Sequence, residues 1–302
     1  MSILVNKKTR VVIQGITGKE GLRAMEGMRN YGTKVLAGVT PGKGGQIIYG
    51  VPIYDTVEDV LRLHPTINTS LIVVPALAVK DATLEAINHK IPLINILTEH
   101  VPVMDTAIIL AWARKNKATI IGPSSVGIIS PGYGKVGSIG GSNPKNIFQP
   151  GRIGVISKSG GMVAEIAVTL NHAGLGQSTV IGIGGDQISG SDFIDIVKLF
   201  GTDNDTRAIV IFGEVGGIYE EELAGFIKKS KFKKPIIALI AGKFTEKLPS
   251  GTVLGHAGAI VMKGRGSYTS KVSSLKRAGV YVVNTLEDVP PLIKEKLRGK
   301  IR

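Results

Sequence analysis

Ten short apolar runs, separated by stretches of helical period, constrain this chain more than any other feature. In the first half they fall at 10–14, 34–39, 70–74, 92–97 and 118–121, with helical spacing at 56–63, 78–88 and 105–115. In the second half they fall at 153–157, 178–183, 207–212, 235–241 and 279–283. Helices are expected there near 162–173, 193–200, 220–228, 267–278 and 291–297. Strands that are apolar throughout are buried on both faces, and strands alternating with helices pair in parallel beneath them. The pattern predicts an α/β chain with two doubly wound domains in tandem, and 302 residues suffice for two cores. Between them, 130–150 is rich in Gly, Ser, Asn and Pro and reads as the connection.

Two glycine-rich turns give the first half a ligand site. The run at 10–14 leads into Gly15-Ile16-Thr17-Gly18-Lys19-Glu20-Gly21 and a helix, which aims backbone N–H groups at a phosphate. The spacing is G-x-x-G-x-x-G, whereas a dinucleotide site has G-x-G-x-x-G and an acid after the second strand. That strand ends Gly38-Val39-Thr40 and continues Pro41-Gly42-Lys43-Gly44-Gly45, so a cation stands where NAD needs an anion. A nucleotide with an extra ribose phosphate, such as coenzyme A, suits it better than NAD. The same segment fails as a Walker A loop, with Ala37 for its first glycine and Gly44 for its Ser/Thr.

In the second half, Ser157-Lys158-Ser159-Gly160-Gly161-Met162 is another strand-to-helix turn suited to an anion. The run at 207–212 ends Gly213-Glu214-Val215-Gly216-Gly217, placing Glu214 at a strand's carboxyl end, where open α/β sheets hold ligands. By itself Glu214 also reads as a helix N-terminal acid. One of five histidines, His256, lies in Gly255-His256-Ala257-Gly258-Ala259-Ile260. Small neighbours leave its imidazole unshielded, and neutral imidazole is a nucleophile that can carry a phosphoryl group. The six residues alone fit a histidine in a tight turn equally well.

The net charge of +14 calls for an anionic ligand or an acidic partner, since no aromatic-studded basic stripe or nucleic-acid motif accompanies it. No apolar run reaches membrane length and no signal-peptide core opens the chain, so a cytoplasmic protein with no membrane contact is expected. With no cysteine, disulfides and thiolate chemistry are excluded. No metal site is expected on this chain.

Taken together, these motifs resemble the succinyl-CoA synthetase α-subunit family, the nucleoside-diphosphate-forming acid–CoA ligases. Thr98-Glu99, Ile121-Gly122-Pro123 and Gly182-Ile183-Gly184-Gly185-Asp186 add to the match, which runs end to end. The resemblance implies a Rossmann-like CoA-binding domain over 1–130, a linker over 131–150 and a flavodoxin-like ligase domain over 151–302. It implies that His256 is phosphorylated with Glu214 as its carboxylate partner, and that Thr17, Gly18, Lys19, Glu20, Lys43, Leu97, Thr98 and Glu99 contact CoA. It also implies a β subunit whose ATP-grasp domain holds ATP and Mg²⁺, and a small carboxylic acid substrate at Ser159, Gly160 and Gly161.

One stretch departs from the succinate pattern S-R-S-G-T-L-T-Y-E: the threonine is Gly161, the tyrosine is Ala164 and the arginine is Lys158. The Gly-Gly-Met version is similar to ATP-citrate lyase, and a shrunken pocket wall makes room for a larger acid. The expected substrate on this reading is citrate, in a stand-alone citryl-CoA synthetase, with succinate the alternative. A non-catalytic CoA-binding regulator and an NAD dehydrogenase are the readings from other classes.

Overall fold

The computed structural model of the chain describes residues 2–248 and 265–298. The first half runs β1 (Arg10–Gln14), α1 (Lys19–Tyr31), β2 (Lys34–Val39), β3 (Ile47–Ile48), β4 (Val51–Tyr54), α2 (Val57–Leu63), β5 (Thr69–Ile72), α3 (Val79–Asn88), β6 (Leu93–Ile96), α4 (Val103–Asn116) and β7 (Thr119–Ile121). The second runs β8 (Gly127–Ser130), β9 (Gly134–Gly137), α5 (Pro144–Ile147), β10 (Pro150–Ser157), α6 (Gly160–His172), β11 (Gln177–Gly182), α7 (Phe193–Thr202), β12 (Ala208–Glu214), α8 (Tyr219–Ser230), β13 (Ile236–Ala241), α9 (Tyr268–Arg277), β14 (Tyr281–Val283) and α10 (Val289–Lys296).

Among the described residues the strands form two seven-stranded sheets, ordered β3-β4-β2-β1-β5-β6-β7 and β14-β13-β12-β10-β11-β8-β9. Setting aside the short edge strand β3, the first sheet has the Rossmann order, with its reversal between β1 and β5. Strands β11-β10-β12-β13-β14 have the flavodoxin-like order, reversing between β10 and β12. Ligands bind at such switch points, outside the strands' carboxyl ends, because adjacent crossovers diverge to opposite faces there. The apolar runs are buried as expected: Val11, Val12 and Ile13 are fully covered, as are Val155, Ile156, Val180 and Ile181. Each such side chain contributes about 1.5–3 kcal/mol relative to exposure.

The stretch 131–150, read from composition as a connection, carries more structure than that. Strand β9 pairs antiparallel with β8, and β8 with β11, so this segment forms one edge of the second sheet. Its Gly-Lys-Val-Gly sequence has neither alternation nor an apolar run, because packing against α1 buries the lysine as well as the valine. The β3–β4 hairpin is a further addition, closed by Tyr49-Gly50 with both residues at positive φ (49° and 77°), the geometry of a tight hairpin turn.

Candidate functional site

A cavity of about 620 Å³ opens at the carboxyl ends of β1, β2 and β5, walled by Gln14, Gly15, Thr17, Gly18, Thr40 and Val74 among others. Its floor needs glycine: Gly15 has φ +87°, and a Cβ there would stand 2.6 Å from the Val73 carbonyl oxygen. Gly18 is the N-cap of α1 and offers no side-chain acceptor, which leaves first-turn N–H groups of that helix available to a ligand. The Thr17 hydroxyl donates to that of Thr40 at 3.3 Å, linking the turn after β1 to the turn after β2. Leu97 N–H donates to Ile72 O at 3.0 Å and the Thr98 hydroxyl to Val74 O at 2.7 Å. The segment after β6 thus lies against the segment that walls the cavity. A mixed polar and apolar crevice at the switch point, beside a free helix N-terminus, fits a phosphate-bearing nucleotide such as CoA.

Of the other residues expected to touch CoA, Lys19, Lys43 and Glu99 are exposed and do not line this cavity, and Glu20 lines a different cleft. The Lys43 turn is nonetheless built. Asp55, just beyond β4, accepts the backbone N–H groups of Lys43 (3.1 Å) and Gly44 (3.0 Å). A Cβ on Gly44 would come within 2.5 Å of Asp55 Oδ2, so glycine is needed for the carboxylate to brace the turn. Sequence reasoning passed over Asp55; the signal was an acid directly after a four-residue strand, facing the glycine turn.

At the second switch point, β10 pairs with β12 so that Ser157 lies opposite Phe212. Ser159 and Glu214 each stand two residues beyond that pair; Ser159 has left β10, while Glu214 ends β12, still opposite Ala241 of β13. Ser159 is the N-cap of α6 and accepts from Met162 N–H. Gly160 is held against Val126, where a Cβ would fall 2.3 Å from Cγ1, whereas Gly161 is exposed and a Cβ there meets nothing within 4 Å. Glu214 is half-buried, and its N–H donates to Glu220 Oε1 at 3.2 Å.

Glu220 belongs to a buried charge network behind this edge. Lys271 of α9, fully buried, pairs with the fully buried Glu220 and lies 3.4 Å from Glu221 Oε2. Lys158 Nζ stands 4.0 Å from Glu220 Oε1 and 5.3 Å over the Tyr219 ring. The Tyr219 hydroxyl accepts from Ser189 N–H at 3.1 Å, and burial raises its pKa above the usual phenol value. None of Tyr219, Glu220 and Lys271 was foreseen. The acids at 220–222 read as ordinary first-turn residues, and nothing local marks Lys271 as buried.

His256 and its loop at 255–260 lie outside the described residues, but the chain on both sides is described. Gly266 O accepts from Gly216 N–H at 2.8 Å, and Gly266 N–H donates to Glu221 Oε1 at 2.9 Å. Glu246, ahead of the segment, accepts from Thr269 N–H beyond it at 2.9 Å. A Cβ on Gly242 would lie 2.7 Å from Val215. Both flanks therefore meet at the turn that follows Glu214.

The two sheets also meet through their strand-end loops. Asp186, after β11, accepts from His100 N–H (3.5 Å) and Val101 N–H (3.3 Å), beyond β6, and burial raises its pKa above the usual carboxylate value. The Ser125 hydroxyl donates to Gly182 O at 2.6 Å and accepts from Asn95 at 2.9 Å.

Residues 6–100 match the CoA binding domain family and residues 156–281 the CoA-ligase family. Over 297 residues the chain is 44% identical to the succinate–CoA ligase [ADP-forming] subunit alpha 2 of Archaeoglobus fulgidus, covering 98% of this chain and 100% of that protein. The chain belongs to the succinyl-CoA synthetase α-subunit family. A second member, the subunit alpha of Methanothermobacter thermautotrophicus, is 44% identical over 299 residues, covering 99% of this chain and 97% of that one. Among solved structures, an ATP citrate lyase variant of Methanosaeta concilii in complex with (3S)-citryl-CoA superposes with a TM-score of 0.92 at 24% identity. That match covers 99% of this chain, which spans 52% of the lyase chain, and it reports the shared fold. As a family member the chain is one subunit of a nucleoside-diphosphate-forming CoA ligase, with a CoA-binding domain ahead of the ligase domain. No described helix is long and apolar enough to cross a membrane.

Proposed function

We propose that this chain is the α subunit of an ADP-forming succinate–CoA ligase in which His256 carries the phosphoryl group. The observation that carries the reading is the meeting of both flanks of the His256 segment at the Glu214 turn, beside the Ser159 turn. In this role a neutral His256 ring nitrogen attacks the γ-phosphorus of ATP with ADP leaving, the acid's carboxylate then takes the phosphoryl group as an acyl phosphate, and the CoA thiol displaces inorganic phosphate from it. Glu214 accepts the N–H of the other ring nitrogen, holds the tautomer and stabilises the cation that forms. The N-terminus of α6 presents preorganised N–H donors to the phosphoryl oxygens. Thr17, Gly18 and the neighbouring α1 N-terminus hold CoA, with Thr98 supporting the wall and Lys43 near the ribose phosphate. Leu97 belongs to the same contact set, whereas Lys19 and Glu99 stand outside the cavity and Glu20 lines the other cleft. CoA supplies the thiol that becomes the thioester. ATP and Mg²⁺ are assigned to an ATP-grasp β subunit, and the acid to the neighbourhood of Ser159, Gly160 and Gly161.

Succinate is favoured over citrate, the acid expected from the Gly-Gly-Met stretch, because the relatives at 44% identity, matched over 100% and 97% of their length, are named as α subunits of succinate–CoA ligases. The open space at Gly161 is what favours the second reading, citrate, since it leaves room and backbone donors for a third carboxylate. The experiment is kcat/KM for succinate, citrate and malate with the cognate β subunit, alongside mass spectrometry of the His256 peptide at alkaline pH. Succinate preference with an acid-labile phosphate on His256 is expected. Citrate preference would replace the substrate and leave the phosphohistidine. Full activity in His256→Asn would overturn the relay.

A further inference from the structure

Along α1, between that helix and the 138–142 loop, lies a second cleft of about 390 Å³. Arg23, Gly27, Lys135, Ser138 and Ser142 are among the residues that line it. Lys135, in β9, is only 1% exposed. Its backbone is held on both sides by the Thr33 hydroxyl, which accepts from Lys135 N–H at 2.9 Å and donates to Lys135 O at 2.7 Å. That grip fixes the strand against α1 and commits the side chain to the cleft. Among the described residues the ammonium has one hydrogen-bond partner, Gly141 O at 3.2 Å, and no carboxylate within ion-pair distance. Gly27 makes room for it: a Cβ there would stand 3.3 Å from Nζ. Burial without a counter-charge lowers the Lys135 pKa to about 8, so the group still holds its proton near neutral pH.

A buried cation with two unused donors facing a cleft is expensive unless an anion completes it. We propose that this cleft binds a phosphate-like oxyanion, held by Lys135 Nζ and the Arg23 guanidinium, with the Ser142 hydroxyl as a further donor; the Ser138 hydroxyl donates to Val126 O at 3.5 Å. Glu20 and Glu26 also line the cleft, and both are exposed. Their repulsion is screened by solvent, while the buried ammonium is not, so a compact ion seated deep at Lys135 is favoured over a bulky one. Because α1 covers the first sheet and β9 belongs to the second, an occupant ties the two halves together. The oxyanion has two candidate sources, free phosphate or a phosphate group of CoA.

The test uses the full chain, with inorganic phosphate as the probe in calorimetric titration at constant ionic strength. Phosphate binds in the millimolar range or tighter, and Lys135→Met weakens it at least about tenfold. Arg23 is exposed, so Arg23→Ala tests the site without risk to the fold and should weaken binding severalfold. With sulfate, which stays dianionic, affinity falls as the pH rises through about 8 and Lys135 loses its proton. If Lys135→Met also weakens CoA and phosphate competes with CoA, the ion is a CoA phosphate; if CoA binding is unchanged, it is free phosphate. No phosphate binding to the unaltered chain, or equal affinity in the chain and both cleft variants, overturns the proposal.

Discussion

Replacing Lys271 with methionine tests the charge network behind the Glu214 turn. Lys271 and Glu220 are both fully buried, so Lys271→Met fills the volume of the stem but leaves the Glu220 carboxylate, among the described residues, with a cation only at 4.0 Å, Lys158. Removing one partner of a buried pair costs about 3–5 kcal/mol, because the remaining charge keeps its desolvation penalty. That is a large share of the roughly 5–15 kcal/mol that holds a domain together. Glu220→Gln should cost less, about 1–3 kcal/mol, since Lys271 keeps Glu221 and the amide oxygen can still accept from Glu214 N–H. The double variant removes the stranded charge and should be more stable than the sum of the two losses implies, by at least about 1 kcal/mol. Urea denaturation followed by far-UV circular dichroism measures all three. Trp112, the one tryptophan, lies in α4 and reports the first half separately, where its fluorescence transition should move little. Strict additivity, or a Lys271→Met loss below about 1 kcal/mol, would refute a buried network with interdependent charges.

The buried lysine gives a pH signature. Between about pH 8 and its unfolded value of 10.5, Lys135 is deprotonated in the folded chain and protonated in the unfolded one, so stability rises with pH there. The rise from this group is at most roughly 3 kcal/mol. Lys135→Met should therefore gain relative to the unaltered chain near neutral pH and lose that gain by about pH 10; a difference independent of pH would refute it. Gly44→Ala pushes a Cβ against Asp55 and opens the Lys43 turn, so CoA affinity should drop about tenfold by titration while the melting temperature holds. An unchanged affinity would remove that turn from the CoA site. Lys43→Ala should weaken CoA by about 10- to 100-fold and dephospho-CoA much less, and equal losses would move Lys43 away from the ribose phosphate.

The ten apolar runs, the glycine turn at 15–21 and the strand-end position of Glu214 were all legible in the sequence. Parallel strands covered on both faces must be apolar along their whole length, and a backbone that approaches a phosphate must be glycine; both demands are written locally. What the tertiary structure decided is where local composition and environment disagree. Strand β9 reads as loop because its central residue is a lysine, and only packing against α1 turns that lysine inward. Asp55 looks like one more helix-start acid until the sheet brings it beneath the Lys43 turn. Lys271 and Glu220 are 51 residues apart, and each alone reads as a solvated surface charge. Whether a charged side chain is solvated or buried depends on which elements close over it, and long-range packing of that kind leaves no period in the chain.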